Sequence, residues 1–320
     1  MTECDESGIT RSHTADDIVW RHKASRKGKR DFKIGTYNVR TLRDSGGIRH
    51  KIQRIIIGCE EYSVDFVALQ EHRLQTDCEG IQFDTPKPGW TLACSDASST
   101  AECHGVAMLY SQRVAAMVTS LEKISDRIMV MHLGGNPRLS IISAYAPTES
   151  DKNEGLKDKF YDDLEKLIIS IPPHTVVLAA GDFNARIGNS SHPVHPRIVG
   201  GYCYHELTNN NGQRLIDLCE SAGMRPAHGR FQHQRRHLYT YTDPRAEKYQ
   251  LDHILIRAKW YSSLTDCRAF NSIDVGSDHR FVSAKIRIRL RVTRSSKLRR
   301  DVFNTSRLDD ALVQRFFDLE

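Results

Sequence analysis

Apolar positions along most of this chain fall into short blocks that alternate between two periods. Phe32-Lys-Ile-Gly-Thr-Tyr-Asn38 opens a strand pattern, and Ile48, Ile52, Ile55, Ile56 and Cys59 then follow at the spacing of one helix face. Val64–Gln70 reads as a buried strand. Gly105–Tyr110, Val114–Thr119, Ile128–Leu133 and Leu139–Tyr145 read as further short strands with turn residues between them. A helix is predicted over Asn153–Ile171, with Leu156, Phe160, Leu164, Leu167 and Ile168 apolar, and Pro172-Pro173 stops it. Thr175–Ala180 is another buried strand. Asn211–Ala222 is a helix with Leu215, Ile216, Leu218 and Cys219 facing inward, closed by Gly223, and Leu251–Ile256 and Phe281–Leu290 are the last strands. Strands with interspersed helices and several strand–strand hairpins predict an α/β fold of two sheets packed face to face, helices outside, in one domain. No internal repeat is present.

That domain occupies 32–290. Residues 1–31 are a polar leader ending in Arg26-Lys-Gly-Lys-Arg30, and 291–320 begin with a basic stretch, Arg291–Arg300. In the latter, Ser306-Arg-Leu-Asp309 reads as a capping box for a helix with Leu308, Leu312, Val313 and Phe316. That pattern is still running at Glu320, so the expectation is the front portion of a longer parent protein or a truncated gene.

Charge changes the picture more than composition does. Lys and Arg outnumber Asp and Glu by eight to six over 1–33 and by ten to five over 285–320, yet stand at 28 to 29 over 34–284. The basic surplus lies in the flanks, where it suits a polyanionic partner. The near-neutral middle suits a carboxylate-built cation site. The eight cysteines include no CxxC pair, which argues against a zinc ribbon or thioredoxin motif. The N-terminus has no secretory signal pattern, and no apolar run is long enough to span a bilayer. A monomer with reduced thiols, in nucleus or cytoplasm and off the membrane, is expected.

Chemistry-bearing residues gather at strand ends. Asn38 ends the first strand, and Glu71 follows the buried Leu69-Gln70. Tyr145 sits in Ala144-Tyr-Ala-Pro147, and Asp182 and Asn184 occupy Gly181-Asp-Phe-Asn-Ala185. Each has an ordinary reading alone: a turn cap, a surface acid, a rim tyrosine, an Asx turn. Asp252 lies inside an apolar strand and needs a partner, and His279 is the obvious one. Asp278, adjacent to it, would point elsewhere, toward a cation. Two carboxylates, an imidazole and a carboxamide are what activation of water against a phosphate ester requires. Between 225 and 248, Arg225, Arg230, Arg235, Arg236, Arg245 and Lys248 alternate with Phe231, Tyr239 and Tyr241, a mix suited to a phosphate backbone and exposed bases.

In order, Thr36-Tyr-Asn38, Gln70-Glu71, Ala144–Pro147, Gly181–Ala185, Leu251-Asp252 and Ser277-Asp-His279 resemble the motif series of the endonuclease/exonuclease/phosphatase superfamily. Tyr37–Leu42, Asn211-Gly-Gln-Arg-Leu215 and Tyr239–Pro244 are similar to RTE-type retrotransposon endonucleases and the related craniofacial-development-protein-like genes. The resemblance implies a DNase I-like, four-layer α/β/β/α sandwich of two mixed sheets. It implies an endonuclease that nicks DNA and leaves a 3′-hydroxyl, followed in such elements by a reverse transcriptase. By the same resemblance Asn38, Glu71 and Asp278 would hold Mg²⁺ or Mn²⁺, and Asp182 would orient or deprotonate water. Asn184 and His279 would contact the phosphate, with His279 held by Asp252, and Tyr145 would stabilise the phosphate or leaving oxygen. Arg40, Arg186, Arg230, Arg235, Arg236, Tyr241 and Arg245 are the candidate nucleic-acid contacts. Two departures stand out: Tyr241 where Trp is usual, and His72 after Glu71 where Thr is common. An apurinic-site repair endonuclease, a phosphoinositide or small-molecule phosphatase, and an inactive retroelement-derived DNA-binding protein remain open.

Overall fold

A computed structural model describes residues 31–43, 48–74, 80–95, 105–150, 152 and 154–288. In chain order these form β1 (Phe32–Asn38), α1 (Ile48–Tyr62), β2 (Phe66–Gln70), β3 (Ile81–Lys87), β4 (Trp90–Ser95), β5 (Val106–Ser111) and α2 (Gln112–Ala115). There follow β6 (Val118–Ser125), β7 (Ile128–Leu133), β8 (Leu139–Tyr145), α3 (Glu154–Ser170), β9 (Val176–Asp182) and α4 (Asn210–Ser221). The last are β10 (Met224–Pro226), β11 (Tyr241–Thr242), β12 (Lys248–Tyr249), β13 (Asp252–Arg257), β14 (Leu264–Phe270) and β15 (Phe281–Ile286). One sheet has the order β14-β15-β1-β2-β5-β4-β3, the other β10-β13-β9-β8-β7-β6, and β11–β12 is a separate hairpin.

Alternation along the strands builds the layers, because successive side chains leave opposite faces. Leu178 and Ala180 of β9 face the layer between the sheets, with Ile34, Phe66, Met108, Met129 and Ile141. Val177 and Ala179 face outward, onto Phe160, Leu164 and Ile168 of α3 and Leu215, Ile216 and Cys219 of α4. On the other sheet Val67 and Leu69 meet Ile52, Ile55, Ile56 and Cys59 of α1. The result is a four-layer α/β/β/α sandwich of two mixed sheets. The core thiols behave as apolar groups, and burial pushes Cys94 up to about 12. Among the described residues no helix is long and apolar enough to cross a membrane.

Several elements depart from the sequence reading. Val114 belongs to the helical turn α2, with Met117 N–H closing onto its carbonyl, and the strand begins only at Val118. The Ala115-Ala116 pair suits a helical turn better than a strand. β3 and β14 were not expected: they are the two edges of the larger sheet, half exposed along their length, so neither carries a full apolar run. The buried β4, the short β10 and the hairpin β11–β12 were likewise not anticipated. Of the apolar residues counted in the α3 pattern, Leu156 is exposed. β15 ends at Ile286, and Leu290, residues 1–30 of the leader and the basic tail with its capping box lie outside the described residues.

The sheets place six chain segments at one rim. In the parallel pair β1–β2, Asn38 lies beside Gln70, and in the parallel pair β8–β9, Tyr145 lies beside Asp182. β13 runs antiparallel to β9, which sets Asp252 opposite Asp182, and β15 runs antiparallel to β1, which brings the 277–280 turn to the same rim. Gly181 permits this register: a Cβ there would lie 1.9 Å from the Ala144 carbonyl oxygen. Gly181→Ala is therefore expected to cost about 1–3 kcal/mol by overpacking, read as a lower denaturant midpoint at unchanged slope.

Candidate active site

Asp182 is the hub of the rim. Its side chain is buried, and so is that of Asp252 opposite, so two like charges share one enclosed place. His279 lies against both, with Nδ1 2.9 Å from Asp252 Oδ2 and Nε2 3.8 Å from Asp182 Oδ2. Burial alone would strip the imidazole of its proton, but the Asp252 and Asp182 charges outweigh it and lift the group to about 9. Burial, and then the Asp252 charge, hold Asp182 above the ordinary carboxylate range. Asp252 Oδ1 has no hydrogen-bond partner among the described residues, while its backbone N–H donates to Thr240 Oγ1 at 3.1 Å.

Two hydrogen bonds tie the sheets together here. Asn38 Nδ2 donates to Asp182 Oδ2 at 3.0 Å, and also to Glu71 Oε1 at 2.9 Å; the Tyr145 hydroxyl donates to the same Glu71 oxygen at 2.8 Å. Burial would raise Glu71, but these donors and the Arg73 guanidinium on its other oxygen hold it below the usual range. Burial, with Glu71 and Asp182 adding to it, pushes the Tyr145 phenol well up, so it stays a donor. Asn184 has φ +49°; its N–H donates to Asp182 Oδ1 and its Nδ2 to the Ala146 carbonyl, each at 2.9 Å. Glu71 and Arg73 also sit at positive φ, so the turn after β2 is held in a costly shape.

Asp278 stands at the edge of this network, 3.5 Å from Arg40. Ser277 latches the turn by donating to the Asn38 carbonyl at 2.7 Å. Glu71, Asp278 and Asn38 carry oxygens of the kind a hard divalent cation takes, and in this structure the two carboxylates are ion-paired with Arg73 and Arg40. A second group, Asp182, Asp252 and His279, has ligand atoms within 4.8 Å of one another. It could take a cation only after His279 gave up its proton, since an imidazolium has no free lone pair.

Beside the centre, a cleft of about 200 Å³ runs between Tyr37, Phe270, Ile273 and the 277–280 turn. Tyr241 packs its ring 4.8 Å from that of His279. Arg186 lies over Tyr249 and Arg235 over Tyr204, while Arg236 accepts a bond from Arg280 through its carbonyl. Arg245 is exposed in the link between β11 and β12. Arg230 is not brought to the centre. It stacks 4.3 Å over Tyr261 and donates to that residue's carbonyl, past the far end of β13 from Asp252. Four contributors escaped sequence reasoning. Ser277 stood inside a quoted motif and Thr240 within a compared string, but Arg73, two residues past Gln70-Glu71, and Arg127, 5.2 Å over the Tyr145 ring, had no signal.

The same architecture occurs in solved structures at identities that speak to fold alone. The AP endonuclease LMAP from Leishmania major aligns at TM-score 0.59 and 13% identity, covering 81% of this chain and 89% of its own. The endonuclease domain of TRAS1, a telomere-specific non-LTR retrotransposon, aligns at 0.56 and 11%, covering 80% and 98%. By sequence, Craniofacial development protein 2 of Tragulus javanicus is 29% identical over 284 residues, which is 88% of this chain and 46% of that protein. The chain thus spans a little under half the length of that relative. With the profile of the Endonuclease/Exonuclease/phosphatase family matching residues 35–279, from β1 through His279 itself, the chain belongs to that family.

Proposed function

We propose that this chain is a divalent-cation-dependent DNA endonuclease of the retrotransposon type, hydrolysing a phosphodiester to leave a 3′-hydroxyl. The observation that carries the reading is the single network joining Asn38, Glu71, Tyr145, Asp182, Asp252 and His279 across two sheets. In it Asp182, raised by burial and by Asp252, accepts the proton of the attacking water. His279 is the imidazolium that meets the phosphate oxygens, because Asp252 and Asp182 keep its proton in place. Its raised affinity for that proton favours Asp182 over the His279–Asp252 pair as the base. Tyr145 presents a phenol that stays protonated, and Asn184 keeps a second N–H beyond the one given to Ala146. Asn38, Glu71 and Asp278 would hold Mg²⁺ or Mn²⁺, which when bound supplies Lewis-acid polarisation of a phosphoryl oxygen.

A nucleic-acid substrate is supported by the names of the two structural neighbours, both endonucleases, and DNA is the form we assign; the exposed Arg40, beside Asp278, and the exposed Arg235, Arg236 and Arg245 suit a phosphate backbone. The retrotransposon assignment rests on the Tyr37–Leu42, Asn211–Leu215 and Tyr239–Pro244 strings, and a downstream reverse transcriptase belongs to that same reading.

Purified protein with Mg²⁺ should nick supercoiled plasmid, and a chelator should abolish the nicking. Asp182→Asn and His279→Gln should each lower the rate by about 10²–10⁴-fold without unfolding, checked by melting. Equal rates for wild type and both variants would refute the assignment. A strong preference for an abasic over an intact duplex would instead identify the repair endonuclease suggested by the Leishmania neighbour.

The pH profile of kcat/KM should be bell-shaped. Asp182 must lose its proton, and its raised affinity places the acid limb above the ordinary value of about 4. His279 must keep its proton, so the rate falls as pH climbs through about 9. Asp252→Asn removes a charge that raises His279, so the alkaline limb should move down toward about 6.5.

A further inference from the structure

We infer that Asn211, at the start of α4, is a positioning residue for the centre, clamping the two loops that carry Tyr145 and Asp182-Asn184. The inference rests on the nuclease reading above and extends it to a residue with no contact to the reacting groups.

β8 and β9 pair in parallel as far as Tyr145 and Asp182, and one further backbone bond, Ala146 N–H to the Asp182 carbonyl at 2.9 Å, extends the ladder. Beyond it the backbone cannot continue, because Asn184 turns into the left-handed region at φ +49°. Side-chain amides take over. Asn184 Nδ2 reaches the Ala146 carbonyl at 2.9 Å. Asn211 Nδ2 then donates to the Pro147 carbonyl at 3.0 Å and to the Asn184 carbonyl at 3.4 Å, where Asn209 Nδ2 also donates at 3.2 Å. Pro147 and Asn184 each lie two residues beyond a paired site residue, so the Asn211 carboxamide bridges both loops at equal depth, whereas Asn209 reaches the Asn184 loop alone.

The burial of Asn211 is complete, and its Oδ1 has no hydrogen-bond partner among the described residues. An orphaned buried acceptor costs about 1–3 kcal/mol. The amide is thus retained for its two donors and not for its oxygen. The helix start around it is pinned. Tyr161 donates to the Asn211 carbonyl at 3.1 Å, and Glu149 accepts from the Asn211 N–H at 3.3 Å. Glu149 is in turn held by the buried Lys157 at 3.4 Å. Gly212 lets the helix approach: a Cβ there would stand 2.1 Å from the Arg186 carbonyl oxygen. This gives the Asn211-Gly212 pair of the sequence a purpose that its position far from the chemistry did not suggest.

The test compares Asn211→Asp and Asn211→Ala with Tyr161→Phe. The first two remove the bridge between the loops and leave the Asn209 bond to the Asn184 carbonyl in place. The third removes a bond to the same helix end and leaves the loops untouched. Two readouts are taken on folded protein below its melting range: single-turnover nicking of plasmid with Mg²⁺, and hydrogen exchange at the Asn184 backbone N–H, which donates to Asp182 Oδ1. Both Asn211 variants should lose about 10–100-fold in kcat with KM for DNA unchanged, together with exchange protection at Asn184. Tyr161→Phe should lose stability alone. If the Asn211 variants only melt earlier, or lose rate while Asn184 keeps its protection, the clamp is overturned. If wild type cuts no DNA, the nuclease reading fails by itself, and exchange at Asn184 still decides for or against the clamp.

Discussion

Two carboxylates, Asp182 and Asp252, face each other across adjacent antiparallel strands, both buried. Unrelieved, such a pair repels, and burial adds the cost of desolvating each charge. The His279 imidazolium relieves it from one side and Asn38 Nδ2 from the other. The rest of the site follows from satisfying this pair. His279 must keep its proton to stay, and the turn that carries it must be latched to β1, which Ser277 does through the Asn38 carbonyl. Asn38 must come from the opposite sheet, so the centre exists only when both sheets are packed.

Sheet topology makes that affordable in conformational terms. Parallel pairs end together, so β1 with β2 and β8 with β9 deliver two loops apiece to one rim. The turns there are not relaxed. Glu71, Arg73 and Asn184 all adopt positive φ. Their side chains and backbone then bond inward, offsetting strain with hydrogen bonds that aim oxygen and nitrogen at one point. A rigid sandwich beneath them is what lets such turns persist.

Around the centre, basic side chains are seldom loose. Arg186, Arg235 and Arg280 lie over the rings of Tyr249, Tyr204 and Tyr239, and Arg230 is spent on Tyr261 at the other end of β13. Stacking fixes a guanidinium plane while leaving N–H groups at its edge. Positive charge beside the centre is therefore pre-placed, and a basic string such as 225–248 divides into residues that face the rim and residues that hold the scaffold.

Sequence alone determined the layers and named the six side chains, Asn38, Glu71, Tyr145, Asp182, Asp252 and His279, that the rim brings together. Strongly periodic blocks such as Ile52–Cys59 and Val177–Ala180 announce their partners, because burial on a helix face or both strand faces leaves a repeat that can be counted. Asp252 within an apolar run announced its need for His279 for the same reason: a buried charge cannot be without a partner. Edge strands β3 and β14 stayed silent because half-exposed strands need no continuous apolar run. Only tertiary structure set Asp252 opposite Asp182, turned Asp278 toward Arg40, and parted Arg230 from its neighbours. It alone gave Asn211 its two carbonyls. Register, loop dihedrals and stacking are properties of packed pairs of segments, and no single stretch of chain encodes them by itself.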